Sequence, residues 1–130
     1  MMILPVTLCA AAAAALINFW LANRIGRVRR NEKISIGDGG HDLLTRRMRA
    51  QLNFAENTPF VLVLIAAIEI AGKGTPWLSI VAAVYMIGRL LHGVGMDGSF
   101  GMGRMIGTAT TMLTQIGLAV IAVLVATGRF

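Results

Sequence analysis

The sequence predicts an all-α integral membrane protein, a four-helix bundle of up-down topology, and three observations lead there. Hydrophobic residues make up 56% of the 130 positions and charged residues only 14%. With a mean hydropathy of +0.73, the chain is too apolar for a soluble domain of its size. Four apolar runs stand apart along it: Ile3–Ala22, Leu52–Ala71, Trp77–Leu91 and Met105–Ala126. The third observation is where the charge sits. Eight of the twelve Lys and Arg fall between Arg24 and Arg49, which is how a cytoplasmic connection looks under the positive-inside rule. A net charge of +6 therefore describes one membrane edge, and nucleic acid is not the expected partner.

Taken in order, the runs predict one domain, 1–130, with helices at about 3–25, 45–72, 76–97 and 104–127. The first, second and fourth approach the roughly 20 residues that span a hydrocarbon core, and "HGVGM" extends the third. The N-terminal stretch has its basic residues after the apolar run, so it reads as a retained anchor rather than a signal peptide. Four spans place both termini on one side, outside if the basic segment is cytoplasmic. "GKGTP" is a short second connection that makes helices two and three an antiparallel hairpin. The third connection, "GVGMDGSFGMG", contains Gly93, Gly95 and Gly98 in a literal G-x-G-x-x-G. No strand precedes it, so it is a flexible turn and not a dinucleotide site. Alanines 10–15 and the Gly103/Gly107 pair are small-residue faces for close helix approach, and Asn18 and Gln115 read as interhelical glue. Such thin helices favour a homo-oligomer embedded among membrane lipids. Cys9, the single cysteine, reads as a core residue. His41 and His92 lack metal-ligand spacing, so no metal is expected.

The polar residues that interrupt this pattern are the candidate site. In "RMRAQLNFAENTPF", Arg49, Asn53 and Glu56 lie at i, i+4 and i+7, one face of a helix. Tyr85, Arg89, His92 and Met96 share a face of helix three in the same way. Counting from the helix ends puts Glu56 about 6 Å and Arg89 about 9 Å inside the same membrane edge. An unpaired charge there costs ~2.5–3.5 kcal/mol or more, so a Glu56–Arg89 ion pair is expected. Arg49, Arg89 and Arg104 exceed one glutamate, leaving an anion pocket to which Arg24 and Arg27 can add. Pro59 should kink helix two. Glu69, one turn before Lys73, reads as half of an interfacial ion pair.

These residues resemble a family. "RAQLNFAENTPF" is similar to the helix-two signature of the MAPEG proteins, the membrane-associated proteins of eicosanoid and glutathione metabolism: Arg, Asn four later, Glu three further, then Pro and Phe. "VYMIGRLLHGVG" resembles their helix-three segment, with an aromatic, an Arg and a His. The resemblance covers nearly the whole chain and implies a homotrimer, kinship with bacterial inner-membrane members, and glutathione held between subunits near the cytoplasmic face. It places Arg24, Arg27, Arg49, Asn53, Glu56, Arg89 and His92 on substrate-binding positions, and gives Arg104 the catalytic role of stabilising the glutathione thiolate. Met96 stands where several members carry a tyrosine, and Leu52 where one branch has an arginine.

The implied activity is a glutathione transferase or peroxidase that uses glutathione as cosubstrate against a lipophilic electrophile or hydroperoxide. A thiol attacks as its thiolate, which a nearby cation favours. The alternative is a non-catalytic lipid-binding or scaffold protein of the same fold. A four-helix multidrug transporter fits less well, because helix one carries only Asn18 where such proteins centre a carboxylate.

Overall fold

In the computed structural model, residues 3–74 and 76–130 are described; Met1, Met2 and Thr75, the last within the short second connection, lie outside them. The helices are α1 (Pro5–Glu32), α2 (Asp42–Ile68), α3 (Pro76–Gly95) and α4 (Gly101–Ala126). All four are long and apolar enough to cross a membrane. No strand occurs among the described residues.

The helix limits follow from capping more than from hydrophobicity. α1 runs to Glu32, beyond the expected end near residue 25, because "GRVRRNE" keeps propagating the helix after the apolar run stops. It ends at Lys33, whose left-handed backbone (φ 56°) lets its N–H reach Arg29 O, a common helix stop. α2 begins at Asp42 behind His41, whose Nδ1 accepts from Leu44 N at 3.3 Å. In the loop before it, the Gly40 N–H and Thr45 hydroxyl hold the Asp38 carboxyl below the usual carboxylate range. Pro59 lies inside the unbroken α2. After Ile68 the chain makes one wider turn, Glu69–Lys73, and Gly72 (φ 75°) closes it, a backbone geometry that glycine adopts freely.

Each helix buries a stripe. On α1 it is Val6, Ala10, Ala14, Ile17, Leu21, Ile25 and Val28, spaced by three or four residues as one helix face requires. Of the alanine run, Ala10 and Ala14 face inward while Ala11, Ala12 and Ala15 are exposed. Cys9 is exposed too, contrary to its reading as a core residue. α2 turns Ala50, Phe54, Thr58, Val61, Ile65 and Ile68 inward. α3 and α4 form the most intimate pair, α1 packs on α2 and α3, and α2 also packs on α4. α2 and α3 touch less than these pairs, so the expected two–three hairpin is a diagonal relation across the bundle.

Glycine makes the α3–α4 contact possible. A Cβ on Gly107 would run into His92 Cβ and lie 2.5 Å from Gly88 O; one on Gly103 would lie 2.6 Å from Leu91 O. α4 otherwise turns Met105, Met112, Leu113, Ile116, Val120 and Val123 outward, the apolar surface that lipid tails solvate.

Glu69 does not pair with Lys73. Its carboxylate accepts from Val6 N (2.9 Å), Thr7 N (2.8 Å) and Thr7 Oγ1 (2.7 Å). It thereby caps α1 from another helix, where free N–H groups and the helix dipole favour an anion. Lys73 lies instead over the Phe130 ring, 6.0 Å from its centre.

Candidate functional site

The polar residues gather on one seam between α2, α3 and α4. Arg89, 1% exposed, donates from Nη1 to Thr111 Oγ1 and from Nη2 to Asn53 Oδ1, both at 2.7 Å. His92 Nδ1 lies 3.5 Å from Nη2, and the guanidinium carbon is 5.9 Å from the Phe54 ring centre. Nε is buried without a partner. The seam continues with Asn57, which bonds Asn53 O at 2.7 Å and receives Gln115 Nε2 at 2.9 Å. Thr58 and Tyr85 share a hydrogen bond of 2.9 Å. Pairings advance in step along α2 and α4: Asn53 meets Thr111 through Arg89, and Asn57 meets Gln115 four residues later.

The expected Glu56–Arg89 pair is absent. Glu56 is exposed and has no ionic partner among the described residues. Its depth is compatible with Arg89 but its azimuth is not. It follows the buried Phe54 by two residues, about 200° around the helix, so it faces away from the core. Asn53, at the boundary of that face, reaches Arg89 in its place. The buried cation is thus held by neutral acceptors, and its charge is not cancelled locally.

The other expected site residues separate into two groups. Arg27, Arg49 and Arg104 are exposed. Arg49 shares the outward face of α2 with Glu56, and also lines a groove of about 930 Å³ between α1 and α2 with Arg29, Gln51 and Leu52. Arg104 occupies the face of α4 that carries Thr111 and Gln115, two turns before Thr111. Arg24 is partly buried and already engaged: it pairs with Asp97, donates to Gly93 O at 2.8 Å, and lies over the Trp20 ring at 4.6 Å. The geometry therefore unites Asn53, Arg89 and His92, leaves Arg27, Arg49, Glu56 and Arg104 exposed, and ties Arg24 elsewhere.

Sequence reasoning missed Asp97, Arg47 and Thr111. Arg47 Nη2 and Nε reach the Asp97 carboxylate at 3.0 and 3.2 Å. The clue was available: Asp97 is one of six acidic residues, set in a glycine-rich turn at the same edge as the basic segment. Asn18 and Gln115 do make interhelical bonds, Asn18 Oδ1 accepting from Gln51 Nε2 at 3.3 Å. No cluster of potential metal ligands occurs among the described residues.

Four membrane-length helices around a polar seam define a multi-pass membrane bundle whose candidate site lies between helices rather than in a loop. The chain belongs to the MAPEG family, whose pattern matches residues 7–124. That family includes glutathione transferases and peroxidases as well as non-catalytic members. The chain is also similar to inner membrane protein YecN of Escherichia coli, in strain K12 and in an O6:H1 strain. Both are 31% identical over 85 residues, 65% of this chain and 65% of the relative. The matched stretch thus spans just under two thirds of those relatives.

Proposed function

We propose that the protein is a glutathione-dependent transferase or peroxidase of the inner membrane, assembled as a homotrimer of up-down bundles with termini outside. Glutathione would lie at the cytoplasmic edge, between the outward face of α2 and α4 of one subunit and a neighbouring subunit. The observation that carries this reading is uncompensated charge. Arg89 is buried with neutral partners, and Arg49 and Arg104 are exposed at the same end of the bundle. Two carboxylates on a tripeptide satisfy such an excess, and the outward Glu56 suits its ammonium. Arg49, Asn53 and Arg27 would hold glutathione. Arg89 and His92, both buried, would set the local potential and shape. Arg104 would stabilise the thiolate, since a cation within ~4–6 Å favours the charged form. The second substrate is a lipophilic electrophile or hydroperoxide entering from the lipid.

A non-catalytic lipid-binding or scaffold role is the second reading, and Met96 favours it: this partly buried thioether offers no hydroxyl where several family members have one. Titration of the purified, detergent-solubilised protein with glutathione separates the two. Binding accompanied by ultraviolet thiolate absorbance supports the enzyme. Binding without thiolate supports the scaffold, and no binding overturns the glutathione reading.

A further inference from the structure

We propose that Asp97 is a positioning residue for Arg104, an assignment that rests on the reading of Arg104 as the thiolate-stabilising group. Asp97 sits in the turn between α3 and α4 and accepts from two arginines on two other helices. Arg47 approaches through Nη2 and Nε at 3.0 and 3.2 Å, a forked contact, and Arg24 approaches through Nη2. The arginines are themselves locked: Arg24 Nη1 donates to Gly93 O at 2.8 Å and Arg47 Nη1 to Arg24 O at 3.0 Å. Side-chain exposures of 13% for Arg24, 18% for Arg47 and 21% for Asp97 keep this knot partly out of water, where forked ionic contacts hold geometry well.

The anchor is transmitted to Arg104 through backbone. Met96 N bonds His92 O at 3.0 Å, Asp97 N bonds Val94 O at 3.1 Å, and Gly98 N bonds Gly95 O at 3.3 Å. Gly95 lies directly against the Gly103–Arg104 peptide, so close that a Cβ there would collide with Arg104 N. The turn and the helix ends that flank it have little stiffness of their own, with Gly98 in the turn, Gly93 and Gly95 closing α3 and Gly101 and Gly103 opening α4, and glycine gives backbone its greatest freedom. A carboxylate clamped by two helices supplies the missing restraint. Arg24 on this account shapes the site instead of touching the ligand.

The sign of one measurement separates positioning from simple electrostatics. Asp97→Asn removes a negative charge near the site, which by itself would favour a bound thiolate and lower its pKa. Loss of Arg104 placement would raise it. The test uses full-length wild type, Asp97→Asn and the milder Asp97→Glu. It reads the pKa of bound glutathione from thiolate absorbance, turnover with an aryl halide, and amide hydrogen exchange across residues 98–104. We expect a raised thiol pKa and turnover lower by about tenfold or more in Asp97→Asn. Affinity for glutathione should change less than turnover, exchange should quicken in 98–104 but not in 112–120, and Asp97→Glu should recover part of each loss. A lowered or unchanged pKa with unaltered exchange overturns the assignment. Exchange is read without glutathione, so the two failures are distinguishable. A wild-type protein that forms no thiolate overturns the functional reading, while faster exchange in Asp97→Asn still upholds the anchoring of Arg104.

Discussion

Arg89 is bound by Asn53, with Nη2 2.7 Å from Oδ1, and not by the carboxylate three residues further along the same helix. A hydrogen bond to a charged group is worth about 1.5–3 kcal/mol. A double-mutant cycle on Asn53→Ala and Arg89→Ala should therefore show coupling of that order. The same cycle with Glu56→Ala should be additive within about 0.5 kcal/mol. Coupling to Glu56 but not to Asn53 would reverse the assignment.

Glu69 is expected to matter more than its place at a helix end suggests. Replacing it with Ala leaves Val6 N, Thr7 N and Thr7 Oγ1 without their acceptor. The loss should be about 2 kcal/mol of stability, read by chemical or thermal unfolding in detergent. Lys73→Ala should cost clearly less, because its contact is with the Phe130 ring. Equal losses would indicate a Glu69–Lys73 pair after all.

Glycine substitutions should sort by what a methyl group meets. Gly107→Ala forces a Cβ into His92 and toward Gly88 O, and overpacking of this kind costs about 1–3 kcal/mol. Gly117→Ala meets nothing within 4 Å and should be neutral or stabilising by up to about 1 kcal/mol. Similar melting temperatures for the two would mean that α3 and α4 are not this close.

Arg104 and Arg49 should separate binding from chemistry if the proposed function holds. Arg104→Ala should raise the pKa of bound glutathione and reduce turnover by about tenfold or more, with a smaller loss of affinity. Arg49→Ala should do the reverse. Identical profiles for both variants would mean that neither has a specific role toward the thiol.

The four helices, the basic edge and the family were legible in the chain itself, because run length, charge placement and the spacing of Arg49, Asn53 and Glu56 are properties of neighbouring residues. Depth was legible as well, since rise per residue is fixed, and Arg89 does meet α2 close to the predicted level. What the chain alone did not decide was rotation and adjacency. A period of 3.6 says which residues share a face, but not which face meets which helix. Arg49, Asn53 and Glu56 do share one face, yet the core lies under Phe54, and only packing showed that Glu56 turns outward while Asn53 just reaches Arg89. The partners of Asp97 were hidden for a related reason: Arg24 and Arg47 are 73 and 50 residues away, and no local pattern encodes a contact at that separation. Glu69 illustrates the same limit, because its nearest cation in sequence, Lys73, lost to two free N–H groups on a helix 62 or more residues distant. Local periodicity set the elements; three-dimensional packing chose the partners, because burial makes every donor and charge seek whatever acceptor the neighbouring helices bring within reach.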